Sequence, residues 1–159
     1  MGKTLENNVI DIDLSALRKK RIRIDGDDNK IVEINVSDMG VINRLQEAYD
    51  RLISLANTYN LQEEESNAEA DDDDFDVEKT VETLRILDKE MRELVDFVFQ
   101  ANVSEVCASD GTMADPVNGQ FRFEYIIEKF LAVYDKNFTE EFKKMSKNVK
   151  KRTNKYTGN

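Results

Sequence analysis

Residues 20–36 read "KRIRIDGDDNKIVEINV", and residues 37–59, which follow directly, read "SDMGVINRLQEAYDRLISLANTY". In the first stretch apolar residues alternate with polar ones, with Ile22 and Ile24 before an acidic centre and Ile31, Ile34 and Val36 after it. That pattern puts side chains on opposite faces of a strand. The centre, "DGDDN", has turn chemistry, because Gly26 takes positive φ at no steric cost and Asp or Asn hydrogen-bond their own backbone. In the second stretch the period lengthens. Val41, Ile42, Leu45, Ala48, Tyr49, Leu52, Ile53, Ala56 and Tyr59 recur at helical spacing, behind Ser37 or Asp38 as a cap. This change of period decides the fold class: α+β, mainly α, with β structure over residues 9–36 and a helix over 37–59. The segment "VIDIDL" (9–14) is a candidate third strand, so the N-terminal β-hairpin has two to three strands.

The same turn invites a calcium reading, because Asp25, Asp27 and Asn29 stand at the first three ligand positions of an EF-hand loop. Lys30 then occupies the place of the obligatory Gly, and Val36 that of the closing bidentate Glu. The flanks alternate as strands, where an EF-hand has helices. The stretch reads as a hairpin tip.

The chain has 33 acidic and 23 basic residues, and ten of the acids lie in residues 63–78, "EEESNAEADDDDFDVE", without a base among them. Outside that segment the charges balance at 23 each, so the acidity is local. So dense a like-charged run cannot bury enough apolar surface to offset chain entropy, and residues 60–76 are expected to be a disordered insert. His and Trp are absent and Cys107 is single, which excludes an intrachain disulfide and the usual Cys/His zinc sites. General acid–base chemistry would fall to carboxylates, Lys or Tyr. The opening "MGKTLENNVIDID" has no apolar run, so no signal peptide is expected, and Glu6 stands where a myristoylation signal needs Ser or Thr. No apolar stretch approaches the roughly 20 residues of a membrane span. A soluble, intracellular protein without membrane contact is expected.

Val77, Leu84, Leu87, Met91, Leu94 and Val98 recur at steps of three, four and seven, with Asp76, Glu78 and Glu82 at the positive end of the helix dipole. This seam is either the core face of an intramolecular bundle or a coiled-coil surface for another chain. Farther on, Phe121, Tyr125, Ile126, Phe130, Val133 and Tyr134 make a helix apolar over much of its circumference. Asn137 followed by Glu140 resembles a capping box for one more helix, with Phe138, Phe142, Met145 and Val149 as a narrow stripe. About four helices therefore pack as a small bundle. Residues 9–150 form one domain, with the helical part over 77–150, between a disordered N-terminus (1–8) and a basic disordered tail (151–159). The last 17 residues, "KKMSKNVKKRTNKYTGN", hold seven bases and no acid. That suits nucleic acid, an acidic partner or the chain's own acidic insert. Tyr156 is its only aromatic residue, which speaks against stacking on single strands, and nucleic acid is not the expected partner.

Between the two long helical patterns lies "NVSEVCASDGTMADPVNGQFRFEY" (102–125), with the only proline and two of the six glycines. As a catalytic loop it offers Ser104, Cys107, Asp110 and Asp115. A nucleophilic Cys needs a neighbouring base, and there is no His to supply one. Ser104 has no dyad partner at a recognisable spacing. Asp110, Asp115 and Asn118 match no known ligand spacing. A helix–turn–helix joint with a buried Cys is the better account, with no catalytic residue, cofactor or metal expected.

Two stretches, "LRKKRIRIDGDDNKIVEINVSDMGVINRLQEAYDRL" (17–52) and "LRILDKEMRELVDFVFQANVSEVCASDGTMADPVNGQFRFEYIIEKFLAVYDK" (84–136), together resemble the small tail assembly chaperones of long-tailed phages and prophages of Gram-positive bacteria. In those proteins a short β element, a helix, a charged insert, a helix carrying a segment like "MRELVDFVF", a loop and a final apolar helix follow in order. The likeness is one of architecture, over about residues 10–138. It implies a non-enzymatic protein of the host cytoplasm that binds the tape-measure protein and helps recruit tail-tube subunits, with self-association as a further option. A structural or adaptor subunit retained in the particle, or a generic helical protein-binding module, is the alternative. The expected partner groove lies between the "MRELVDFVF" and "FRFEYIIEKF" helices, lined by Met91, Leu94, Phe97, Val98, Phe121, Phe123, Tyr125 and Phe130.

Overall fold

A computed structural model of the chain describes residues 8–59 and 76–157. Most of the expected acidic insert (60–75), the first seven residues and the last two lie outside the described residues.

The α+β class holds: a two-stranded antiparallel hairpin comes first, and four helices follow. Strands β1 (Lys20–Ile24) and β2 (Asp27–Ile34) pair from Lys20↔Ile34 to Arg23↔Ile31. They are joined at Asp25 and Gly26, whose φ values of 53° and 71° are the left-handed pair of a type I′ turn. The register shifts between Arg23 and Ile24, and Asp28, Asn29 and Lys30 bulge out of the ladder. Val32, Ile34 and Val36 point into the core. Ile34 and Val36 face inward as expected, while Ile31 falls on the other face and Val32 takes the inward place expected for it. "VIDIDL" adds no strand: Val9, Ile10, Ile12 and Leu14 are exposed and irregular ahead of a 3-10 turn at Ser15–Leu17.

Helix α1 (Val41–Thr58) starts later than the pattern suggested, because Asp38 caps the preceding turn. Its Oδ1 accepts from the Gly40 N–H at 2.9 Å and its Oδ2 accepts from Arg44 Nη2 at 2.6 Å. Helix α2 (Val77–Phe99) is capped by Asp76, which accepts from the Lys79 N–H. The two helices run antiparallel. Arg44 Nε donates to the Val98 carbonyl at 2.9 Å, and farther along Arg51 Nη2 lies 3.2 Å from Glu90 Oε2. That buried oxygen has no directed hydrogen bond, so charge holds the second pair.

A short helix α3 (Val103–Cys107) follows, then a two-residue hairpin, β3 (Pro116–Val117) and β4 (Gln120–Phe121), turning at Asn118 and Gly119. Helix α4 (Arg122–Thr157) is a single helix of 36 residues, about 54 Å at 1.5 Å per residue. The expected break at Asn137 does not occur. Its side chain instead donates to the Val36 carbonyl at 3.1 Å and lies 3.3 Å from Ser37 Oγ, tying α4 to the end of the hairpin. Residues 151–157, expected as a tail without structure, continue the same helix. The core gathers β2, the first half of α4 and the second half of α2, from Met91 to Phe99.

Candidate partner-binding surface

Five of the residues expected to line a groove are instead core. Met91, Leu94, Val98, Phe123 and Phe130 are buried, because the facing sides of α2 and α4 pack on each other and on β2. Phe99 touches both Phe130 and Tyr134, at ring-centroid distances of 5.1 and 5.8 Å, and fills the space a partner helix would need. The groove between these two helices is closed.

The other three reach the surface at separate places. Phe97, 37% exposed, lines a shallow depression of about 260 Å³ between α1 and α2 with Glu47, Arg51, Glu93 and Leu94. Phe121, 38% exposed, sits on β4. Tyr125 is half-buried with the Lys129 ammonium 5.2 Å from its ring centre, a cation–π distance.

The joint between α2 and α4 is held by polar contacts that consume its reactive groups. Asp88 Oδ1 accepts from the Met113 N–H at 2.7 Å. Arg92, paired with Asp88, donates to the carbonyls of Ala108 and Gly111. Ser104 donates its hydroxyl to Asp96 at 2.6 Å while its N–H donates to the same carboxylate, so Asp96 satisfies a free amide of α3's first turn. Hydrogen bonds from Thr112 hold the Asp115 carboxyl below its ordinary range. Arg122 faces both Asp110 and Asp115. Burial pushes the Cys107 thiol up to about 11, so at neutral pH it is not the nucleophilic thiolate. Among the described residues, no three His, Cys, Asp or Glu side chains are placed to share a metal ion, and no helix is long and apolar enough to cross a membrane.

Besides Val9, Ile10, Ile12, Leu14 and Leu17 of the N-terminal segment and Met39 and Ile42 around the start of α1, exposed apolar residues gather on two further helical faces. At one end, Val77, Val81 and Leu84 of α2 and Ile53 of α1 are exposed. The seam of α2 thus divides: its second half is core and its first half is surface. At the other end α4 leaves the body. Residues 139–151 are exposed throughout, and within them Phe142 (49%) and Met145 (56%) continue the face of Phe138. Tyr134, Phe138 and Phe142 form a ladder with centroids 6.1 and 6.2 Å apart, from the core out along this arm. The narrow stripe in the sequence signals this surface, but it reads equally well as a core face until the neighbours are known.

Comparison of the chain with protein-family models, with curated proteins and with solved structures returns no match.

Proposed function

We propose that this protein is a non-enzymatic holder of other polypeptides that works as a phage tail assembly chaperone. Apolar helical faces at its two ends bind the long apolar helices of a tape-measure protein, keep them soluble in the cytoplasm and help bring tail-tube subunits to them. The observation that carries the reading is the projecting half of α4, where Phe142 and Met145 lie exposed on a helix that the body does not cover. A lone helix of this length is marginal in water, and burial of its apolar stripe against a partner is its natural source of stability. The architectural resemblance of residues 10–138 supplies the identity of the partner class.

Co-expression with a tape-measure-type polypeptide tests this. The partner is expected in the soluble fraction as a complex, and to aggregate when this chain is omitted. A partner that stays insoluble in the presence of excess folded chain overturns the reading. Detection of the chain in purified particles by mass spectrometry would replace it with the structural or adaptor subunit.

A further inference from the structure

We propose that the lysine face of the α4 arm is a docking surface for a second copy of this chain, and that its occupant is that copy's acidic segment, residues 63–76. At 100° per residue, Lys143, Lys144, Lys147, Lys150 and Lys151 fall within an arc of about 120°, on the side of the helix away from Phe142 and Met145. All five are exposed; Glu140 falls within the same arc one turn ahead of Lys143 and Lys144, and Glu141 beside it lies 3.4 Å from Lys144. The arm is two-sided, with an apolar seam and a cationic stripe facing opposite ways. The opposite charge within this chain is concentrated in residues 63–78, ten acids without a base, while the rest of the chain is balanced. Such complementarity favours encounter and sets orientation.

The segment cannot reach the stripe of its own chain. Helix α4 passes Tyr49 of α1 at Phe123, with ring centroids 6.4 Å apart, and passes Val36 and Ser37, just ahead of α1, at Asn137. It therefore runs toward the N-terminal end of α1 and away from Tyr59, where the acidic segment begins. Tyr59 lies about 15 Å along α1 from Tyr49, and the stripe lies about 30–42 Å along α4 from Phe123 in the opposite sense. By covalent length alone, a 16-residue connection between Tyr59 and Asp76 allows a reach out and back of at most about 28 Å. The contact is therefore between copies, and it joins unlike surfaces, the arm of one to the acidic end of the next.

Sedimentation equilibrium of the full chain tests this with two charge variants. One carries Lys147→Glu, Lys150→Glu and Lys151→Glu; the other carries Asp71→Asn, Asp72→Asn, Asp73→Asn and Asp74→Asn. The wild type is expected to show at least twice the 18.4 kDa monomer mass at about 0.05 M salt and to return to monomer near 0.5 M, as screening shortens. Each variant alone should remain monomeric, and an equimolar mixture of the two should form a heterodimer, since each keeps the surface the other lacks. Circular dichroism should report unchanged folding for both. A wild type that is monomeric at low salt, association that survives either variant, or a mixture that stays monomeric overturns the proposal. So does a lysine stripe that binds a DNA duplex while self-association is absent. None of these outcomes bears on the solubility of a tape-measure-type partner.

Discussion

Phe99, the last residue of α2, stacks on Tyr134 in the middle of α4, with ring centroids 5.8 Å apart and planes inclined by 29°. Both side chains are buried, and Phe130 closes the cluster from one turn away. The contact makes the second half of α2 and the first half of α4 one packed unit. Phe99→Ala is therefore expected to lower stability by about 3–5 kcal/mol, read as a lower urea midpoint. An unchanged midpoint would mean the ring lines a surface.

The arm should behave in the opposite way. Phe142→Glu and Met145→Glu remove side chains that the body does not cover, so each is expected to change stability by no more than about 0.5 kcal/mol. Phe130→Glu buries an unpaired charge in the core and should leave the chain unfolded. The comparison of thermal midpoints separates the two faces of α4 without any partner. Loss of folding in Phe142→Glu would show that the arm folds back on the body.

The outline of this fold is legible in the sequence because it rests on local signals. The Asp25–Gly26 turn, the change of period after Val36 and the three–four spacing from Val77 each depend on neighbours in the chain. What failed depends on distant groups. Asn137 followed by Glu140 has the letters of a cap, but the Asn137 amide is taken by Val36, 101 positions away, and the helix runs on. The seam from Val77 to Val98 is a single pattern in sequence. Only the shorter reach of the packed elements decides that Leu87 onward is core and Leu84 backward is surface. The groove expected between α2 and α4 rests on apolar density, and in this chain density marks the interior at Met91, Leu94, Val98, Phe123 and Phe130. The stripe of Phe138, Phe142 and Met145 was visible as spacing, but its exposure was not, since that depends on where the rest of the body ends.

The Arg44–Asp38 pair joins α1 to the turn ahead of it, and Arg44 also joins α1 to α2 through the Val98 carbonyl. The hydrogen bond from Arg44 holds the Asp38 carboxyl below its ordinary 3.8. A carboxyl depressed in the fold adds stability above its unfolded value, and that stability is lost as pH falls through the lower, folded value. The wild type should therefore lose this contribution below about pH 3.8. Arg44→Met should lower stability at pH 7 by about 1–3 kcal/mol and flatten that part of the acid limb. Urea midpoints at pH 7 and across the acid range check both. Parallel acid limbs in the two proteins would show that the pair contributes nothing through charge.

The Cys107 thiol is held protonated by burial, with the charges of Asp25 and Asp96 adding to the effect, and its value rises from 9.0 to about 11. Only the thiolate reacts with an alkylating reagent, so at pH 8 the folded protein should react about a hundredfold more slowly than the same chain in denaturant. The sign for stability follows from the raised value. Between about pH 9 and pH 11 the unfolded thiol ionises while the folded one keeps its proton, so stability falls as pH rises through that window. Cys107→Ala should remove this alkaline loss, at the expense of the contacts of one small half-buried side chain. Equal alkylation rates in the folded and denatured chains would place the thiolate at the surface and return Cys107 to consideration as a nucleophile.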